Sequence, residues 1–342
     1  MSTLYSTERE EFIPWFANEY VQSVNKRGRF KDYLSLTPQD IMKGLEKNVI
    51  HQDEACKKVS IMMYQHLQGH RFVGLLAGPT GSGKSYIAES LKEMFPDLVY
   101  IRDVSNVTCD GWKGAKKVSS LFRGVKNPTA YNGKIYPILF LDECDKMFSP
   151  KFSSGGENVS DSVQSEFLTV IHGGQIEVKE ENTDFAVGES KRVVDTSRMS
   201  FLFAGAFEKT ALSIAEEEAG ATIGFGATGR NFSSYDRELT MEDIKEAGCT
   251  TELCGRINKL VCLNKFEEHD FREMLDCTSR GPIYELQKEF NMLISISNQK
   301  KDEIAHDAFV SEHGIRGMKN AIREYIDELI WEDCYARTLE IE

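Results

Sequence analysis

The run Gly78-Pro79-Thr80-Gly81-Ser82-Gly83-Lys84-Ser85 sets three glycines, a lysine and a hydroxyl at the spacing G-x-x-x-x-G-K-[ST]. Glycines let a backbone wrap closely enough for its N–H groups to converge on an anion, and a following helix adds its positive end. The lysine can then reach the β- and γ-phosphates, and the hydroxyl of Ser85 can ligate Mg²⁺. The chemistry implied is binding of a nucleoside triphosphate by residues 78–85 and the adjoining Tyr86. A second cluster, Asp142-Glu143, follows the apolar run Ile138-Leu139-Phe140-Leu141. Asp142 could hold Mg²⁺, mostly through its waters. Glu143, one residue further, points elsewhere and can polarise an attacking water. Phosphoryl transfer needs both jobs done side by side.

Specific elements must position these groups. Phe72 to Ala77 reads as a buried strand, and Tyr86 to Phe95 as a helix with Ile87, Ala88, Leu91 and Met94 on one face. The glycine run therefore sits between strand and helix, as its chemistry requires. Residues 138–141 read as a strand buried on both faces of a parallel sheet, whose C-terminal end is where ligands bind. Val163 to Leu168 with Ile171 forms an amphipathic helical pattern. Met199 to Phe207 and Leu260 to Leu263 read as further buried strands. Beyond Asn264-Lys265-Phe266 the pattern turns helical, at about 267–277 and 282–292 and from Met318 to about Tyr335, the last with Ile322, Ile326, Leu329 and Ile330 along one face. The predicted fold class is α/β, a parallel sheet flanked by helices plus a small C-terminal helical domain. The expected boundaries are an N-terminal helical extension at 1–34, a large domain at 35–263 and a small domain at 264–342.

Composition bounds the function. The 342 residues, 41% hydrophobic and 28% charged, suit a globular protein of two domains. No apolar stretch approaches the about 20 residues that span a bilayer, so no membrane partner is expected. Met1 to Pro14 has no apolar core of a secretory signal. A formal charge of −13 argues against broad nucleic-acid binding. The basic clusters at 26–31 and at Lys113, Lys116 and Lys117 read as solvated or locally paired patches. Eight cysteines include no Cys-x-x-Cys pair. Reduced thiols in a cytoplasmic protein are the simplest account.

Taken together, residues from about Leu36 to Leu339 resemble the ClpX family of AAA+ protein unfoldases, which feed the ClpP peptidase. Val49-Ile50-His51-Gln52 is similar to the segment that forms the family's adenine pocket, with His51 where the family has glycine. Met199 to Phe207 is similar to the strand carrying the sensor-1 position, and no Asn ends it here. Glu252-Leu253-Cys254-Gly255-Arg256-Ile257 is similar to the segment whose arginine reaches the phosphate bound by a neighbouring subunit. The resemblance therefore implies Arg256 as an arginine finger. Gly314-Ile315-Arg316-Gly317 is similar to the sensor-2 motif, implying that Arg316 touches the nucleotide from the small domain.

The same resemblance implies how a substrate would be held. Gly111-Trp112-Lys113-Gly114 stands where the family has its aromatic pore loop. Its glycines suit a pliable tip, and an aromatic ring can press on any side chain. Ser149 to Ser162 reads as a mobile polar loop, either a second pore loop or a plain connector. Ile223-Gly224-Phe225 is the tripeptide by which the family docks on its peptidase. The family's zinc domain has no counterpart before residue 35. Phe12, Ile13, Trp15, Phe16, Tyr20 and Val24 suggest instead one amphipathic helix, which either packs on the main domain or recruits a partner.

The expectation is an ATP- and Mg²⁺-dependent unfoldase and translocase, a homo-oligomer in a hexameric ring, acting on polypeptides and delivering them to a ClpP-like peptidase. The alternative is a remodeller dedicated to one complex that works without a peptidase.

Overall fold

The computed structural model describes residues 33–108, 116–126, 136–152, 155–180, 190–220, 237–277, 281–311 and 313–342. Residues 1–37 and 38–342 form two compact units. Of the first, only 33–37 are described, as a short turn in which the Leu36 N–H donates to the Tyr33 carbonyl. The aromatic segment at 12–24 lies outside the described residues.

In the second unit, helices α1 (Pro38–Leu45) and α2 (Asp53–Leu67) bury Ile41, Leu45, Val59, Met63 and Leu67. They lead into strand β1 (Val73–Ala77), which is buried along its whole length. The glycine run follows, then α3 (Lys84–Met94) and β2 (Val99–Asp103). The short parallel pair β3 (Val107–Thr108) and β4 (Lys116–Lys117) precedes a 3₁₀ turn at Val118–Phe122. Next come β5 (Ile138–Asp142), α4 (Cys144–Phe148) and α5 (Val159–His172). An antiparallel hairpin of β6 (Gln175–Glu180) and β7 (Ser190–Asp195) leads to the buried strand β8 (Ser200–Gly205). Helices α6 (Glu208–Gly220), α7 (Met241–Glu246) and α8 (Thr251–Cys254) precede β9 (Lys259–Cys262). The C-terminal part comprises α9 (Glu268–Asp276), α10 (Pro282–Phe290), β10 (Leu293–Ile296), α11 (Asn298–Val310), α12 (Gly314–Glu332) and β11 (Thr338–Ile341).

The central sheet has the order β2-β5-β8-β1-β9, all parallel. Its inner strands are continuous apolar runs because helices cover both faces, which leaves no face to water. The register pairs Ala77 with both Gly205 and Cys262, and Leu141 with Phe203. The C-terminal ends of β1, β5, β8 and β9 therefore lie along one edge, and that edge carries the glycine run and the Asp142-Glu143 pair. Phe148, Phe167, Phe203 and Phe207 interlock beneath it at centroid separations of 5.9–6.2 Å. A second core gathers Phe266, Phe271, Leu286, Ile304, Met318, Ile322 and Ile326 from the C-terminal helices, together with Ile50.

Three expectations change in detail. The polar stretch 149–162 is shorter as a loop than its composition suggests: Asn158 caps α5 by accepting from the Ser160 N–H, so residues 159–162 are helical and Ser160 is buried. Helix α12 begins at Gly314 rather than Met318 and stops at Glu332. Ile330 is also 37% exposed instead of sharing the buried stripe. Its core face runs Ile315, Met318, Ile322 and Ile326, and Ile330, one turn beyond Ile326, has drifted off that line.

Candidate active site

The glycine run bends because two of its glycines adopt conformations that other residues resist. Gly81 has φ +79° and Gly83, which caps α3, has φ +102°. Gly78 must be small for another reason: a Cβ there would stand 2.8 Å from the Leu263 Cβ. The Lys84 ammonium donates to the carbonyls of Gly78 at 2.6 Å and Pro79 at 2.7 Å. Burial pulls its pKa down to about 8, against the opposing pull of Asp142, Asp145 and Glu208. The Ser82 hydroxyl is buried with no hydrogen-bond partner among the described residues. A half-satisfied lysine among loop carbonyls, an orphaned hydroxyl and two left-handed glycines fit a loop built for a phosphate chain.

Asp142 ends β5 with its carboxylate accepting from the Glu143 N–H at 2.9 Å and in hydrogen-bond contact with the Ser85 side chain. Burial raises its pKa, and these contacts and Lys84 oppose the rise. Although β8 separates β1 from β5, Ser85 in the first turn of α3 meets the aspartate at the end of β5. Their oxygens are a donor set that Mg²⁺ accepts, and the ion would neutralise phosphate charge there. Glu143 sits in the left-handed region (φ 61°), a backbone strain of about 1–3 kcal/mol for a non-glycine residue. That turn separates its side chain from Asp142, and its carboxylate pairs with Lys146 at 2.9 Å.

The remaining sequence-predicted residues divide by position. Val49 and Ile50 are buried: a Cβ on Gly83 would lie 4.0 Å from the Val49 side chain, and Ile50 belongs to the C-terminal core. His51 keeps the left-handed turn of the glycine it replaces (φ 58°), its ring held by Glu273 at 3.1 Å and Asp270 at 3.8 Å from α9. Tyr86 faces the C-terminal helices: its hydroxyl donates to Glu285 at 3.3 Å and the Lys319 ammonium lies 5.1 Å from its ring. Arg316 is exposed in the first turn of α12, whose N-terminus abuts the glycine run; a Cβ on Gly314 would lie 3.1 Å from the Gly81 Cα.

Arg256 lies elsewhere. It precedes β9 at the edge where the strands begin, since the Asn258 N–H donates to the Val73 carbonyl at the start of β1. The length of β1, roughly 13 Å at about 3.3 Å per residue, separates that edge from Gly78. Its guanidinium donates to His172 Nε2. The other ring nitrogen of His172 donates to the Leu168 carbonyl at 3.0 Å, which leaves Nε2 as the acceptor.

Residues 111–114 and 223–225 lie outside the described residues. The sequence assigns no partner to two neighbours of the site, Glu208 and Gln52, the second entering only as the last residue of the Val49-Ile50-His51-Gln52 segment. Glu208, at the start of α6, accepts from the Thr80 hydroxyl. Gln52 is 1% exposed and bonds the Ser82 carbonyl at 3.0 Å. A glutamate opening a helix and a glutamine after a turn are common, and only the fold brings them to the loop.

A strand, glycine loop and helix at the carboxyl edge of a parallel sheet, with a serine–aspartate pair and an adjacent glutamate, define a P-loop ATPase. Residues 71–260 match the AAA domain (Cdc48 subfamily), and the chain belongs to that family. It is similar to the ATP-dependent Clp protease ATP-binding subunit ClpX of Treponema denticola, 26% identical over 328 residues that cover 86% of this chain and 77% of that protein. The ClpX proteins of Borrelia duttonii and Borrelia recurrentis are each also 26% identical, over 86% of this chain and 74% of theirs. The chain is thus an AAA+ ATPase that binds ATP and is similar to ClpX. No helix among the described residues is long and apolar enough to cross a membrane.

Proposed function

We propose that this ATPase assembles with copies of itself into a hexameric ring and uses ATP to unfold polypeptides and draw them through the central pore, in the cytoplasm. The observation that carries the reading is the place of Arg256. It sits at the edge of the sheet opposite its own glycine run, too far to serve its own ATP, and it is available to a neighbouring copy. A head-to-tail interface, repeated until it closes, gives a ring.

In this reading Lys84 leaves the Gly78 and Pro79 carbonyls for the β- and γ-phosphates, while Ser85 and Asp142 hold Mg²⁺. Glu143 turns from Lys146 to orient the attacking water. Arg256 from the neighbour stabilises charge that develops on the transferred group, a contribution of about 10³–10⁵ in rate. The contact between Gly314 and Gly81 gives the C-terminal helices, with Arg316 in their first turn, a direct route to sense the nucleotide. The large domain would span 35–263 and the small one 264–342. Trp112, between Gly111 and Lys113-Gly114, would grip the polypeptide. The relatives are named as subunits of a Clp protease, which supports delivery to a ClpP-like peptidase through Ile223-Gly224-Phe225.

Mixing two inactive variants tests the ring. Arg256→Ala and Glu143→Gln each lose turnover alone. Mixed equally, about a quarter of the interfaces pair an intact Glu143 with an intact Arg256, so about a quarter of wild-type turnover should return. No recovery on mixing would sink the shared site. Phe225→Ala should abolish peptidase activation and spare ATP turnover. If it changes neither, delivery to a peptidase falls and a dedicated remodeller remains.

A further inference from the structure

Gln52 follows the left-handed turn at His51 and precedes α2. Its side chain is 1% exposed, and its amide is used at both ends. The Nε2 group donates to the Ser82 carbonyl at 3.0 Å and to the Asn264 carbonyl at 2.9 Å. Its Oε1 accepts from the Asn264 N–H at 2.9 Å. One amide therefore clamps both backbone groups of Asn264 and one carbonyl of the phosphate loop, residues far apart in sequence.

Each end of this bridge has a mechanical meaning. In a trans peptide the C=O and the following N–H point in opposite directions. Anchoring the Ser82 carbonyl therefore turns the Gly83 N–H away from Gln52 and leaves it for a ligand. Asn264 lies two residues beyond β9 and four before α9, in the segment joining the sheet to the C-terminal helices. The Leu263 N–H still donates to the Ala77 carbonyl at 2.8 Å, so Asn264 is the first residue past the last sheet bond. The Ser82 hydroxyl in the same turn is buried and has no hydrogen-bond partner among the described residues.

We propose that Gln52 is a positioning residue that ties the phosphate loop to the junction at Asn264, so that ATP on the loop is felt where the C-terminal helices join the sheet. The link requires only that the chain binds ATP, and stands apart from the ring, the pore and the peptidase. A buried side chain with three good hydrogen bonds does not exchange partners without cost, so a shift of the Ser82 peptide must move Asn264 or break the clamp.

Hydrogen exchange on the full chain, with and without saturating ATPγS and Mg²⁺, reads both ends at once. In the wild type, nucleotide should slow exchange in peptides covering 78–85 and also in those covering 262–266, by about fivefold or more for a bond tightened by 1 kcal/mol. In Gln52→Met, which keeps length and burial but has no amide, slowing at 78–85 should persist and slowing at 262–266 should vanish. Gln52→Glu, which keeps the acceptor for the Asn264 N–H and loses both donors, should show the same split. A wild type without nucleotide-dependent slowing at 262–266 overturns the proposal, and that arm needs no variant to fold. Undiminished slowing at 262–266 in either variant overturns it too. Loss at both segments, at nucleotide concentrations shown by titration to saturate, would make Gln52 a support of the loop alone and also overturn the link.

Discussion

Lys84 offers the sharpest numerical test, because it is a buried cation whose hydrogen bonds go to two neutral carbonyls and whose burial outweighs the pull of Asp142, Asp145 and Glu208. Its pKa of about 8 means that the ammonium is about 10% deprotonated at pH 7, half at pH 8 and about 90% at pH 9. A triphosphate beside it favours the charged form and restores an ordinary lysine pKa. ATP binding should therefore take up about 0.1, 0.5 and 0.9 proton at these three pH values. The apparent Kd should weaken about tenfold from pH 7 to pH 9, about 1.4 kcal/mol. Titration calorimetry in two buffers of different ionisation enthalpy measures the uptake directly. Lys84→Arg keeps a charge throughout this range and should bind with no uptake at pH 8–9. Wild-type binding without proton uptake at pH 8–9, or uptake that survives in Lys84→Arg, would refute the placement of the ammonium among the loop carbonyls.

Three further outcomes follow from the geometry. His66 is fully buried, its Nε2–H donating to the Tyr136 carbonyl at 2.7 Å and its Nδ1 accepting from the Ser200 hydroxyl at 2.7 Å; burial pulls its pKa down to about 4 from an ordinary 6.5. The unfolded chain thus takes the proton first as pH falls, so this contribution is complete above pH 6.5 and lost as pH falls through 4. Urea unfolding should show it as about 2–3 kcal/mol between pH 7 and pH 4.5, a share that His66→Gln removes. Gly248→Ala drives a Cβ into the Phe148 carbonyl at φ +103°, and should cost roughly 2–4 kcal/mol in the same assay. Lys146→Ala frees the Glu143 carboxylate from its only ion pair among the described residues. Steady-state turnover should rise about twofold with KM unchanged; a hundredfold loss would mean that Lys146 itself serves the reaction.

The sequence by itself carried the class of fold, the glycine run and the Asp142-Glu143 pair. Glycine spacing, an apolar run ending in Asp142-Glu143 and a helical stripe after Gly314 are local signals, because each arises from backbone sterics or burial within one element. Where an element ended was less legible: the cap at Asn158 and the last exposed turn of α12 depend on neighbours outside the window being read. Strand order, and with it the meeting of Ser85 and Asp142 across β8, came only from the fold. So did the distance of Arg256 from its own loop, since residue spacing does not tell which edge of a sheet a side chain occupies. Gln52 is the clearest case. Its partners Ser82 and Asn264 are 30 and 212 positions away, and a glutamine carries no periodicity or steric signature. Only tertiary structure, by burying an amide between a phosphate loop and a junction, decided that it has work to do.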